Sequence, residues 1–360
     1  MQSLVTSITA LALLNSQLSV VYAARQPYDV RKIIDAFRHP HDELTILCAH
    51  RGLRWNGTTE NSRDSYFRAT EAGLECIGTD IHLSRDDVGE QTWQPAYNLF
   101  TGKGYHNLPA KQPNFKSFTE NLHLRDKQGR VQIETVPTLP DMVRSIHESG
   151  ANVLLQLDFK DQLKNLTNRA GVPANEWCIY KLQAKWWKNL AEFEALDWVQ
   201  DAFTSGVQIA YIPVYNPEDE TSWDTLESLK EWAKTNYTVS AESEIYSTGA
   251  PLQNLQDYIT HNAIKTVTFR TSGFFIPADT RKTSSAYTFK ENIPPVLLDS
   301  IVGNKSLDGH NHRSDFAWIM KQIFLWVITD TADVWDAQLR AEGRRNISYM
   351  LAGKESFIGP

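Results

Sequence analysis

His50 and Arg51 directly follow an apolar run at residues 44–49 that reads as a strand. Asp80 and His82 lie on a second run, 76–83, and Asp158 and Lys160 end a third, 153–157. Glu242 and Glu244 close a further strand pattern, and Asp330 follows the last one. Residues two apart on a strand share a face, so Asp80 goes with His82 and Asp158 with Lys160. If these strand ends converge, carboxylates, a histidine, an arginine and a lysine meet at one mouth. Carboxylate oxygens favour a hard divalent cation such as Mg²⁺ or Ca²⁺. Arginine and lysine suit an anionic group, phosphate above all. His50 can serve as acid or base near neutral pH. Together these groups describe phosphodiester cleavage assisted by one metal, with His50, Arg51, Lys160 and His82 as the catalytic set and Asp80 and Asp158 on the ion. A plainer alternative stays open on the same residues, in which Asp80 and Asp158 are buried partners of Arg51 and Lys160 with no metal. His310 and His312 look like a metal pair, but their loop is polar and favours solvation.

The elements that must position these groups alternate. A helical apolar spacing at 30–37 would cover the bottom of a barrel. The strand at 44–49 is followed by a helix at 62–72 and the strand at 76–83. Thr138 is a reasonable N-cap for the next helix. The near-continuous apolar run at 153–157 suits a strand buried on both faces, hence a parallel sheet. A long Trp-rich region, 177–203, reads as helical and as packing against the sheet. Further strands are expected at 207–213, 238–243, 266–270, 294–299 and 325–329, with helices at 223–234, 252–261, 316–323 and 331–341; residues 271–292 read as irregular. About eight strands alternating with helices is the arithmetic of a TIM (β/α)8 barrel. An open doubly wound sheet is the second choice, because no Gly-rich phosphate loop follows the first strand. Residues 24–360 read as one domain, with a long loop at 87–135 of the kind that forms lids or binding loops.

Composition narrows the function class. With 41% apolar and 22% charged residues, the chain of 360 is ordinary for a globular protein. A net charge of -7 argues against a nucleic-acid partner and leaves a small-molecule or lipid-derived substrate. No stable membrane span is expected in the mature body. Residues 1–23 carry no charge and end on Val21-Tyr22-Ala23, which fits a cleaved signal peptide and a secreted or secretory-pathway protein. Behind such a leader the sequons at Asn56, Asn165, Asn236, Asn304 and Asn346 become glycosylation sites. The three cysteines, Cys48, Cys76 and Cys178, give no disulfide framework. A bridge between adjacent strands is awkward, so Cys48 and Cys76 are expected as buried thiols.

The runs His50-Arg51-Gly52, Glu60-Asn61-Ser62 and Asp80-Ile81-His82-Leu83-Ser84-Arg85-Asp86, with Leu157-Asp158-Phe159-Lys160 and Ile328-Thr329-Asp330 further on, resemble the glycerophosphodiester phosphodiesterase family. More narrowly they look like its fungal phospholipase-C-like branch. The resemblance implies a TIM barrel, a divalent metal on three carboxylates and two histidines working as acid and base. It puts His50 in the place of the first histidine and Arg51 in that of the phosphate-facing arginine. Asp80 takes the second carboxylate of a Glu-x-Asp pair, Asp158 the carboxylate of the third strand, and Lys160 the lysine beyond it. The first carboxylate of the pair falls on Gly78, and no histidine follows His82 until His106. Either His82 or His106 and a carboxylate such as Glu242 rebuild the site, or the chain has left the family reaction. Three functions follow: a secreted, metal-dependent phosphoric diester hydrolase acting on a glycerophosphodiester or lysophospholipid; a metal-independent enzyme of fungal secondary metabolism catalysing a cyclisation, elimination or isomerisation, with aromatic residues lining its pocket; or a non-catalytic binding protein.

Overall fold

The structure is a computed structural model that describes residues 28–39, 41–53, 58–83, 89–90, 123–125, 131–159, 177–204, 210–262, 272–276 and 316–353, without 218, 220, 221, 236, 246 and 323. Its strands are β1 (Ile46–His50), β2 (Cys76–Leu83), β3 (Gly89–Glu90), β4 (His123–Arg125), β5 (Val131–Thr135), β6 (Leu154–Phe159), β7 (Cys178–Gln183), β8 (Tyr211–Tyr215), β9 (Ala241–Ser243), β10 (Ser272–Ile276) and β11 (Trp326–Thr329). Eight of them form a parallel ring, β1-β2-β6-β7-β8-β9-β10-β11, in which β1 pairs with both β2 and β11. That closure makes the sheet a barrel and excludes the open doubly wound alternative. β3 continues β2 as a short antiparallel pair, and β4 and β5 form a separate two-stranded sheet.

The period of two along each strand sorts side chains into two cores. Inward positions Ile46, Cys48, Cys76, Leu154, Ile179, Ile212, Trp326 and Ile328 pack together inside the ring. Outward positions such as Leu47, Ala49, Ile77, Leu155, Leu157, Tyr180 and Val327 pack against the helices. The lower end is plugged by helix α1 (Val30–Arg38), whose Ile33 and Phe37 join the inner core; the rings of Phe37 and Trp326 lie 5.5 Å apart. Asp29 caps α1 by accepting from the Arg31 amide. Helix α2 (Arg63–Glu71) starts on a capping box in which Ser62 and Ser65 serve each other's backbone amides. Helix α3 (Leu139–Glu148) is capped by Thr138, as its sequence predicts.

At the same lower end, Glu75 and Arg345 join across 270 residues. Arg345 Nη1 and Nη2 donate to Glu75 Oε1 and Oε2 at 2.7 and 2.8 Å, and both side chains are buried. Glu75 Oε1 also accepts from the Leu47 amide, so one carboxylate ties β1, the start of β2 and the C-terminal segment together.

Three expectations are corrected. The region 177–203 is not one helix: it holds β7 and then two short helices, α4 (Leu190–Glu194) and α5 (Asp197–Thr204). Lys181 and Gln183 at inward positions break the apolar continuity that marks a parallel strand, which hid β7. Trp177, Trp186 and Trp187 do pack outside the ring, where Trp187, Phe193, Tyr211 and Trp232 form an aromatic cluster. Residues 272–276, expected to be irregular, form β10. Cys48 and Cys76 are not thiols but a disulfide, because they face each other in register across β1 and β2 with Cα atoms 4.3 Å apart. Cys178 is buried and free. The strands expected at 266–270 and 294–299, the leader at 1–23 and most of the 87–135 loop lie outside the described residues.

Candidate active site

The mouth of the barrel is built from inward side chains at the C-terminal ends of its strands, the end at which barrel enzymes carry their chemistry. His50 ends β1, and Asp330 directly follows its neighbour β11. His50 Nδ1 lies 2.7 Å from Asp330 Oδ1, and both residues are buried. Burial, and then the neighbouring Arg51 charge, push the His50 imidazole below its ordinary pKa, against the pull of Asp330 and Asp80. The imidazole is therefore held neutral.

The chain then turns sharply. Arg51 has φ +59° and Gly52 φ +81°. A β-carbon at Gly52 would come within 2.7 Å of Ser65 atoms, so only glycine fits there. The Arg51 amide donates to Gly78 O at 2.6 Å, while Arg51 O accepts from the Asn61 amide and from Ser65 Oγ. Thus the His-Arg-Gly turn is clamped by the segment that starts α2. The Arg51 guanidinium points back along β2: Nε donates to Asp80 Oδ2 at 2.7 Å, Nη2 lies 2.6 Å from the same oxygen, and Nη1 donates to Glu60 Oε1 at 3.0 Å.

Asp80 and Asp158 are register partners on adjacent strands β2 and β6. Asp158 is engaged by two side chains from β7, the strand hidden in the sequence. Lys181 Nζ lies 3.3 Å from its Oδ2, and Gln183 Nε2 donates to its Oδ1 at 3.2 Å. Lys181 Nζ also lies 3.0 Å from Glu242 Oε2 on β9. Burial pushes the Glu242 carboxyl up to about 6 although Lys181 opposes it. Gln183 is held in turn by Asn216 Nδ2 at 2.9 Å.

The structure therefore brings together His50, Arg51, Asp80, Asp158, Glu242 and Asp330, and adds Glu60, Lys181 and Gln183. Glu60 was visible only within the Glu60-Asn61-Ser62 run. Lys181 and Gln183 were missed, although Ile179, Lys181 and Gln183 alternate with Cys178, Tyr180 and Leu182 in a period of two. Glu244 is half-buried beside the ring. His82 lies on β2 opposite Glu90, its side chain outside the described set. Lys160, His106, His310 and His312, and the sequons at Asn56, Asn165, Asn236 and Asn304, also lie outside it. Asn346 is described: its Nδ2 donates to Glu43 Oε2 at 2.9 Å, a bond that a glycan on that nitrogen would crowd.

A divalent metal on Asp80 and Asp158 does not fit this arrangement. Asp80 is engaged by Arg51, and Asp158 by Lys181 and Gln183. Position 78 offers no side-chain oxygen, and the space for one is taken: a β-carbon built there would lie 2.0 Å from Ile328 Cδ1. Among the described residues no three histidine, cysteine or carboxylate side chains are grouped to hold an ion.

The mouth is polar rather than aromatic among the described residues, since Trp187, Trp232 and Trp335 belong to the outer core and Trp326 lies deep in the inner one. No family model and no curated protein matches the chain. Solved structures do resemble it. One is a glycerophosphoryl diester phosphodiesterase from Parabacteroides distasonis, at TM-score 0.51 and 14% identity over 92% of this chain and 96% of that one. Another is a provisionally assigned glycerophosphoryl diester phosphodiesterase from Silicibacter pomeroyi, at TM-score 0.52 and 12% identity over 87% and 99%. At such identities the likeness shows a shared fold, the TIM barrel.

Proposed function

We propose that this chain is a phosphodiester hydrolase that cleaves a small glycerophosphodiester or a lysophospholipid at the barrel mouth, with His50 as its acid–base group. The observation that carries this reading is the buried His50–Asp330 pair, 2.7 Å apart, beside the Arg51 turn. The phosphodiesterase names of the structural neighbours support it as analogy of fold.

An ionised carboxylate only accepts, so Nδ1 carries the proton toward Asp330 and Nε2 keeps its lone pair. His50 Nε2 then takes a proton from water as its oxygen attacks phosphorus. As the ester P–O bond breaks, the imidazolium returns that proton to the leaving alkoxide. Both edges of the Arg51 fork are engaged by Glu60 and Asp80, so Arg51 positions the turn rather than gripping phosphate. Lys160, two residues beyond Asp158, is assigned to the phosphate oxygens. Passage through a secretory pathway rests on the uncharged residues 1–23 and on the five sequons.

The test is turnover of glycerophosphodiesters, lysophospholipids and bis(p-nitrophenyl) phosphate, each with and without EDTA, by the wild type and His50→Asn. The expected result is EDTA-resistant hydrolysis that falls by about 10²–10⁴-fold in the variant. If the wild type leaves every phosphodiester intact, the reading fails. The engagement of Asp80 and Asp158 by side-chain cations would then favour the second reading, a metal-independent elimination or isomerisation driven by His50.

A further inference from the structure

We propose that Lys181 is the resident cation of this site: its ammonium, buried between Asp158 and Glu242, occupies the place where those carboxylates would otherwise hold a divalent ion. The proposal rests on the same site as the function above, but not on its substrate.

Three observations carry it. Lys181 is inward on β7, in register with Asp158 on one side and with Ile212 of β8 on the other. From there it reaches past β8 to β9, so that Nζ stands 3.3 Å from Asp158 Oδ2 and 3.0 Å from Glu242 Oε2. All three residues are buried: Lys181 is 2% exposed, Glu242 3% and Asp158 7%.

A hard divalent ion binds carboxylate oxygens at about 2.0–2.6 Å. An ion bridging these two oxygens would stand almost on top of Nζ, against its charge and its volume. Paired buried carboxylates need a cation, because an unpaired buried charge is strongly unfavourable. Here the chain supplies that cation from its own sequence. A lysine fills the role better than an arginine would, since its compact head is a point charge that fits between two oxygens. Asp158 keeps its second oxygen on Gln183, which fixes the carboxylate's orientation as well as its charge.

The experiment is divalent-ion binding to the whole protein after chelation and dialysis. Metal content is read by mass spectrometry, and Mn²⁺, Mg²⁺ and Ca²⁺ are titrated by calorimetry and thermal shift. The wild type should retain well under one ion per chain, with a melting temperature indifferent to added ion. Lys181→Met, checked for folding by circular dichroism, should take up one Mn²⁺ at least about tenfold more tightly than the wild type, with a melting temperature that climbs with Mn²⁺. Stoichiometric metal in the wild type overturns the proposal, and so does a folded Lys181→Met that gains no affinity. If Lys181→Met does not fold, Lys181→Gln is read in the same way. If neither folds, the wild-type result decides. The outcome is separable from the hydrolase reading. A metal-free wild type that cleaves no phosphodiester keeps Lys181 and refutes hydrolysis, whereas a metal-loaded one that cleaves does the reverse.

Discussion

Replacing Arg345 with methionine tests what locks the lower end of the barrel. The guanidinium makes two bonds to Glu75, one to Thr45 O at 2.9 Å and one to Asp336 Oδ1 at 2.8 Å. The side chains of Arg345 and Glu75 are 1% and 0% exposed, so water cannot replace what is lost. Arg345→Met leaves the Glu75 carboxylate with the Leu47 amide as its described donor. Breaking a buried pair from one side costs about 3–5 kcal/mol. An unfolding entropy of roughly 2.1 cal/mol/K per residue over 360 residues is about 0.76 kcal/mol/K, which converts that loss to a fall of roughly 4–7 °C in the melting temperature. Glu75→Leu combined with Arg345→Met removes both charges and should recover most of the loss. The assay is calorimetry on the two single variants and the double. A fall of less than about 1 °C in Arg345→Met, or losses that simply add in the double, would refute the reasoning.

The other predictions concern the mouth and the strands beneath it. Burial holds His50 below its ordinary value, so hydrolysis by neutral His50 should be retained down to a pH under 6.5 and fall only below that. An acid limb above 6.5 would contradict the assignment. The same shift makes the unfolded chain the better proton binder, so the His50 contribution to stability is present above about pH 6.5 and lost as the pH falls through its folded value. Asp330→Asn should lower kcat by about 10³–10⁴-fold through loss of the working tautomer and move the acid limb further down; an unchanged kcat would remove Asp330 from the mechanism. In denaturant without reductant, alkylation should label only Cys178, and removing the Cys48–Cys76 bridge, with its sequence separation of 28, should cost about 3.6 kcal/mol in the chain-entropy account. Three labelled cysteines would show that the bridge is absent. Gly78→Ala should destabilise by about 1–3 kcal/mol through its collision with Ile328 Cδ1. Ile328→Val lacks that carbon and should relieve most of the loss in the double variant; equal denaturation midpoints in Gly78→Ala and the wild type would sink the packing argument.

Much of this architecture was legible because buried parallel strands write themselves as apolar runs. Residues 76–83 were located to the residue, and His50 and Arg51 were placed at the end of the first strand. What stayed hidden follows one physical pattern. Where a strand turns polar side chains inward, as β7 does with Lys181 and Gln183, the run breaks and the neighbouring tryptophans suggest a helix. The strand that looked least like a strand therefore supplied the residues that engage Asp158. Asp330 was visible as a strand-end carboxylate, but its pairing with His50 needed the ring closure of β11 onto β1, which joins residues 280 apart in the chain. The disulfide was discounted for a sound general reason. It forms because Cys48 and Cys76 fall opposite each other, a matter of register that no single strand pattern reveals.

The contact between Gly78 and Ile328 imposes an order on mutation. A glutamate at position 78 alone would meet a carbon at 2.0 Å before it offered an oxygen to anything. Randomising position 78 by itself would therefore show carboxylates to be rejected there, and the cause would lie in β11 rather than in the chemistry of the mouth. Shortening position 328 first opens the space at little cost and makes the second change permissible. Efforts to install a third carboxylate in this barrel, in a library or over generations, must pass through 328 before 78.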